Sequence, residues 1–489
     1  MIRSVSQPPD YLISIKVILC VIAVLVTLLL GAMAGNDRIE TQTVIVVFAG
    51  FVTLFLLSKG GDSHWKLLLI GVASLAFGHR GVYIGSYTYF IPLQVVVWVL
   101  WIVLLANGVA NSSKFFVRVP SLLIFVVGWC LLRAIIAVIV GSNWDIVLSW
   151  TSPLIFGVPV FWVVNQLIIG KAKLESILRV ILIVSGIMAL LGCMQYFYPG
   201  FTRHLPGFSE SPYLFTQDGF VRATFSFWGY PAAATVIAWG VLIALHELGS
   251  AKFDRWQLMA LLTFFIGIVA VYISGQRSSW ISLSVGLVVL SVFSQRRRTM
   301  VFMFIPIVGA VFSLDFWRRI STVAQIFGML PFSDSSLAEH LSRWQWGVNS
   351  LLANPIWGIG YGHLLVHNAF LEIGSTIGVF PGIAFLLLVF QLIWRVGKVW
   401  RKGIDPDTRR YGLLFTSFSM AWIEQMLIGA PFNTVPFAAG HWVMMALGWY
   451  LPDILSRHES HQKRGESILR RSPDWTELAS SDAYSTLKS

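Results

Sequence analysis

Charged side chains are scarce in this chain. Asp, Glu, Lys and Arg make up 12% of its 489 residues, whereas a soluble domain carries about 25%. That shortage excludes an ordinary soluble globule, which needs far more polar side chains at its surface. Acidic residues are the rarer sign, 23 against 35 basic ones, for a net charge of +12. No acidic cluster suggests a divalent-metal site, and "GNDRIE", with Asp37 and Glu40, is the single early candidate. The three cysteines, Cys20, Cys130 and Cys193, all lie in apolar runs without metal-ligand spacing. They exclude a disulfide framework and read as small buried hydrophobes.

What the chain has in excess is apolar sequence, at 56% of residues. It comes in runs of roughly 18–24 residues, about the length that crosses ~30 Å of hydrocarbon as helix. The expected fold is an all-α polytopic membrane protein with about 14 (12–14) transmembrane helices. The runs are 11–34, 41–58, 65–78, 88–107, 118–140, 151–169, 175–198, 227–248, 256–274, 278–294, 299–316, 364–394, 411–430 and 434–451. The first is too long for a removable signal peptide and lacks its small-residue cleavage site, so it reads as a retained helix.

Lys and Arg set the orientation. With the N-terminus cytoplasmic, Lys59/Lys66, Lys114/Arg118, Lys171/Lys173/Arg179, Lys252/Arg255, Arg296–Arg298, the run from Arg395 to Arg410 and the tail all fall inside. Both termini are therefore expected in the cytoplasm. The net positive charge is then mostly topogenic, with a secondary attraction to membrane lipid headgroups, and it does not call for nucleic acid. The chain divides into N-terminal transmembrane helices (1–170) and a second membrane region (171–451) with outer loops 199–226 and 317–363. A polar, Ser-rich stretch, 452–489, is expected to be a disordered cytoplasmic tail.

With those charges set aside, the outward arginines stand out. Arg222 lies in "FVRATFSFWGYP" at the end of the first outer loop, and Arg277 in the short turn "ISGQRSSW". Arg343 lies in "HLSRWQWGVNSLLANP", in the longest outer loop. Arginine suits a planar, multidentate grip on phosphate oxygens. A further one, Arg133 in "WCLLRAIIAV", sits deep within a run, where an unpaired charge is costly. It is expected to face the bundle, at a water-filled cavity or a carboxylate.

The long loop has internal structure. Leu337, Leu341, Trp344, Val348 and Leu351/Leu352 recur at spacings of three and four, predicting an amphipathic helix. His340, Arg343 and Gly347 fall along one flank of that stripe. Asn354-Pro355 ends the helix, and "GIGYG" reads as a flexible turn leading to His363 and His367. The two histidines are four apart, as zinc ligands often are. On a helical wheel, however, Glu372 lies far from both, so a site of two histidines and one glutamate is disfavoured. The same wheel puts His367 on the face of Gly374 and Gly378, pointing into the bundle, and Asn368 and Glu372 on another.

The stretch "SRWQWGVNSLLANPIWGIGYG…HNAFLEIGSTIGVFPGIAFLLLVF" resembles the signature region of the O-antigen ligase and O-antigen polymerase superfamily. "VRATFSFWGYP" is similar to that family's Arg-x-x-x-Phe segment, and "SGQRSSW" to its Ser-x-x-Arg turn. The likeness covers roughly 175–395, with a departure at Pro231-Ala232, where the family often has Pro-Asn. It implies an integral-membrane glycosyltransferase in a bacterial inner membrane, working at the outer face. That enzyme takes an undecaprenyl-diphosphate-linked glycan donor to a glycan or lipid A core acceptor, as polymerase or ligase. A polymerase would add a chain-length regulator as partner. Implied roles are His367 as base or acceptor-orienting group, and Arg222, Arg277 and Arg343 as diphosphate ligands. Asn368, Glu372, His363 and Arg133 support them. Metal-independent, single-displacement chemistry with inversion and no cofactor is the expected mechanism. The alternative from another class is a transporter or flippase of lipid-linked oligosaccharides.

Overall fold

Helices buried on every side form the centre of the bundle, and helices with outward apolar stripes form its rim. The computed structural model describes residues 63–77, 82–84, 88–110, 119–198, 214–217, 220–223, 230–249, 254–294, 335–363, 365–403, 405–429, 432 and 435–471. The expected spans 11–34, 41–58 and 299–316, with Asp37 and Glu40, lie outside the described residues.

In chain order the helices are α1 (Ser63–Ala73), α2 (Pro92–Ala110), α3 (Ser121–Ile139), α4 (Trp144–Ile155), α5 (Gly157–Leu167), α6 (Lys171–Phe197), α7 (Tyr230–Leu248), α8 (Arg255–Ile273), α9 (Arg277–Phe293), α10 (Ser335–Ala353), α11 (Ala369–Ile377), α12 (Val379–Lys402), α13 (Pro406–Ile428) and α14 (Val435–Arg471). Two short antiparallel hairpins join them: β1 (Val82–Ile84) with β2 (Thr88–Phe90), and β3 (Leu214–Gln217) with β4 (Phe220–Ala223). The all-α expectation therefore holds for the body of the molecule, with hairpins added between helices. Thr88–Phe90, expected to begin a span, is a strand.

Five helices are long and apolar enough to cross a membrane among the described residues: Ser121–Ile139, Trp144–Leu167 (α4 and α5 together), Lys171–Phe197, Arg255–Ile273 and Val379–Lys402. This is compatible with a membrane protein. A count of about 14 spans is not reached among the described residues.

The central position of α7 follows from its sequence. Residues 233–245 are small or apolar almost without exception, and all are buried. An all-round apolar helix needs neighbours on every side, and α6, α8, α9 and α13 supply them. The stretch 438–451 of α14 is buried in the same way. The rim is different. On α12, Phe380, Ile383, Leu387, Phe390 and Trp394 are exposed at spacings of three and four, while Phe385, Leu388, Val389, Leu392 and Val396 face inward.

Two expectations change here. The run 364–394 is not one helix but two, α11 and α12, interrupted at Gly378. The tail expected to be disordered from 452 instead continues α14 through Pro452 to Arg471. A proline inside a helix forfeits one backbone hydrogen bond without ending the helix outright. Residues 472–489 lie outside the described residues.

Candidate functional site

The interruption at Gly378 organises the site. A helix ends with four carbonyls lacking intrahelical partners, and apolar surroundings make each costly to leave unpaired. In α11 all four are paired. Gly378 N–H donates to Gly374 O (2.9 Å), Ile359 N–H to Ser375 O (2.7 Å) and Gly360 N–H to Thr376 O (3.1 Å). Trp129 Nε1 of α3 donates to Ile377 O (2.7 Å). Across the break, Val379 N–H donates to Pro355 O (2.8 Å). The glycine sequence is thus not the flexible turn expected of it. It is a fixed strap, with Gly358, Gly360 and Gly362 at positive φ. A Cβ on Gly358 would sit 2.5 Å from the Thr376 backbone.

Side chains pin the strap from α3. Arg133 Nε donates to Trp357 O (3.0 Å), and Tyr361 Oη donates to Cys130 O (3.0 Å). The Trp357 ring stacks on Trp129 at 5.3 Å. Arg133 does face the protein, as expected, but its partner is a backbone carbonyl and not a carboxylate. Desolvation raises the Tyr361 phenol far above its usual range, so it remains a neutral donor.

Beyond the strap, α10 grips the next segment. Arg343 Nη1 donates to Leu365 O (3.1 Å), and its Nε to Glu339 Oε1 (3.1 Å). Trp344 Nε1 donates to His367 O (3.3 Å), and His340 meets the His367 ring edge-on at 4.9 Å. Gly347 admits Val366, whose Cγ1 would lie 2.7 Å from an added Cβ. The predicted flank of His340, Arg343 and Gly347 is therefore the face α10 turns to residues 365–367.

His367 is not on the helix that the wheel assumed, because α11 begins at Ala369. It precedes Asn368 in a left-handed conformation (φ 55°), which histidine adopts more readily than most residues. Its face is shared with His340 and Arg343, not with Gly374 and Gly378. Burial first, then the neighbouring His340 and Arg343, push its imidazole down to about 4, with Glu339 opposing. Arg343, through its hydrogen bond, holds the exposed Glu339 below the usual carboxylate range.

The remaining predicted residues act on the backbone. Asn368 is the N-cap of α11: its Oδ1 accepts from Phe370 N–H (3.1 Å) and Leu371 N–H (3.0 Å). Its Nδ2 donates to Leu427 O at the end of α13 (3.0 Å). Glu372, buried, accepts the Val366 N–H at 2.5 Å. His363 Nε2 lies 2.7 Å from Thr376 Oγ1, with its ring between Trp150 (4.6 Å) and Trp346 (5.2 Å). His363 and His367 thus serve different neighbours and do not converge. A cavity of about 20 Å³, lined by Trp150, Tyr361, Glu372, Thr376 and Phe432 among others, holds roughly one water.

Asn368→Ala is expected to cost about 1–2 kcal/mol through the lost cap. Asn368→Asp keeps the cap and gives up the tie to Leu427. Thermal unfolding of the detergent-purified variants should order them wild type, Asp, Ala.

Arg222 sits on β4 opposite Phe215, and Arg277 is the first residue of α9, after the extended N-cap Gln276. The side chains of both lie outside the described residues. Scanned against models of known protein families, the chain matches none, and no curated protein matches it.

A second polar layer, not expected from the sequence, joins other helices of the bundle. Glu424 Oε2 contacts Ser282 Oγ, which also donates to Ala421 O (3.0 Å). Next to it, Gln425 Nε2 donates to Thr235 Oγ1 (3.0 Å), and Gln425 Oε1 lies 3.1 Å from His441 Nε2. These residues join α7, α9, α13 and α14. The signal was present in "WIEQML" and "AGHWVM", each with an ionisable residue inside an apolar run.

Proposed function

We propose that the protein is an integral-membrane glycosyltransferase that moves or polymerises glycans from undecaprenyl diphosphate at the outer face of a bacterial inner membrane. The observation that carries this reading is the meeting of His340, Arg343 and His367 at one end of the bundle, beside the strap. Arg343 and His367 belong to the block that resembles the O-antigen ligase and polymerase superfamily. The positive-inside count assigns that end to the outside. An imidazole kept neutral beside a guanidinium suits a reaction in which an acceptor hydroxyl loses its proton and an anionic diphosphate departs. Entry of the donor's diphosphate would offset the Arg343 charge and raise the His367 pKa toward neutrality. Arg222 and Arg277 complete the diphosphate grip in this proposal, and no metal takes part.

The test is transfer by the purified full chain from a lipid-diphosphate-linked donor to an acceptor glycan. Arg277→Ala is expected to abolish transfer at wild-type expression. Arg277→Lys should keep part of it, since a point charge loses the bidentate geometry. Full activity in the alanine variant would remove Arg277 from the site.

The interrupted helix and the layer of Glu424, Gln425 and His441 favour a second reading, a transporter of lipid-linked oligosaccharides. Transporters use discontinuous helices and ionisable groups within the bundle. Deletion of the gene separates the two. Loss of the enzyme leaves lipid-linked glycans facing outward and unextended, whereas loss of a transporter leaves them facing the cytoplasm.

A further inference from the structure

The circumference of α10 divides into three sectors. Its protein sector is His340, Arg343, Trp344 and Gly347, whose contacts with residues 365–367 are given above. A second sector, Ser342, Gln345 and Asn349, is polar and exposed. The third is apolar and exposed: Leu341 at 38%, Val348 at 41% and Leu352 at 72%. Their spacings of seven and four residues set them in one line along the helix. A contiguous apolar sector left exposed marks a surface that meets a partner or a membrane.

That line does not stop at the end of α10. It runs on through Ile356 (50% exposed) and Trp357 (43%). Trp357 stacks on Trp129, and Trp129 touches both Phe125 (5.8 Å) and Phe380 (6.1 Å). Phe125 and Phe380 are themselves partly exposed, on α3 and α12. Those two helices are long and apolar enough to cross a membrane. Phe380 heads the exposed stripe that continues down α12 to Trp394. The apolar line of α10 is thus the end of the surface that α3 and α12 present outward, and the aromatic group lies where the two join. Aromatic side chains gather at that level in membrane proteins, between headgroups and acyl chains.

We infer that α10 is an interfacial helix, lying in the plane of the bilayer with Leu341, Val348 and Leu352 seated among phospholipid acyl chains. Its polar sector then faces water, and its protein sector holds residues 365–367 at headgroup depth. This deepens the function proposed above and rests on the chain spanning a membrane. A lipid-linked donor has its diphosphate at that same depth, so it reaches Arg343 by moving sideways within the leaflet.

The experiment uses the full chain in nanodiscs of phosphatidylethanolamine and phosphatidylglycerol, with p-benzoylphenylalanine placed singly at 345, 348, 349 or 352. After irradiation, intact-mass spectrometry should find phospholipid adducts from positions 348 and 352 and none from 345 and 349. Adducts from all four, from none, or chain-to-chain crosslinks at 348 and 352 would overturn the inference. The readout does not involve transfer, so an inactive protein with the expected adduct pattern would count against the proposed function alone.

Discussion

Gly378→Ala is expected to leave little folded protein. Gly378 has φ 109° and ψ 165°, a combination essentially confined to glycine. A Cβ there would lie 1.9 Å from Ile356 O and 2.7 Å from Ile356 C. Both atoms belong to the strap's backbone, which is held by five hydrogen bonds and cannot give way cheaply. The expected cost is roughly 3 kcal/mol or more, from backbone strain and the clash together. Gly374→Ala is the control, since its Cβ would meet only Leu351 side-chain atoms at 3.6–3.7 Å. Thermal unfolding in detergent, with the yield of monodisperse protein, measures both. A Gly378→Ala protein that melts within a degree or two of wild type would mean the strap is not locked as described.

His367→Asn is expected to abolish transfer while leaving the fold nearly untouched. Alanine is the poorer choice here, because φ 55° strains a residue that asparagine and glycine tolerate. Loss of transfer in both His367→Asn and His367→Gly, with lipid-linked donor still bound, isolates the imidazole. Full transfer by either variant would end its candidacy as the base. The pH dependence carries a sign. The folded imidazole protonates only near about 4, whereas an unfolded one does so near ~6.5. Between those values the unfolded chain binds the additional proton. Stability is therefore complete above the upper value and is lost as pH falls through the window. His367→Asn should lose less stability between pH 7 and pH 4 than wild type does.

Periodicity made α10 legible. Apolar residues at spacings of three and four gave both the helix and the flank that carries Arg343. The same method misplaced His367, because a wheel assumes continuous helix and the chain is not helical until Ala369. Asn368 marks that start: an asparagine accepting from the next two backbone N–H groups it can reach is an N-cap. Gly378, which the wheel puts within a continuous helix on the face of His367, is the point where the helix stops. The difference lies in long-range partners. Ser375 O and Thr376 O are satisfied from the strap and Ile377 O from Trp129, and nothing local in the sequence announces such pairings. The outer arginines were singled out by charge asymmetry, a global property, and that argument leaves their side-chain geometry open. Glu424 and His441 are legible by the rule that marks Arg133, an ionisable side chain inside an apolar run.

The pairing of Ile377 O with Trp129 also makes α11 dependent on distant sequence. An uninterrupted spanning helix satisfies its own backbone and can enter a bilayer alone, which α12 is apolar enough to do. The nine residues of α11 cannot. Their last turn is completed by a strap that precedes them and by a tryptophan 248 positions upstream. The end of α11 is therefore complete only where α3 and the strap lie against it. If the chain were cut between α6 and β3 and both pieces made in one cell, neither would hold all the partners of α11, and only their association would supply them.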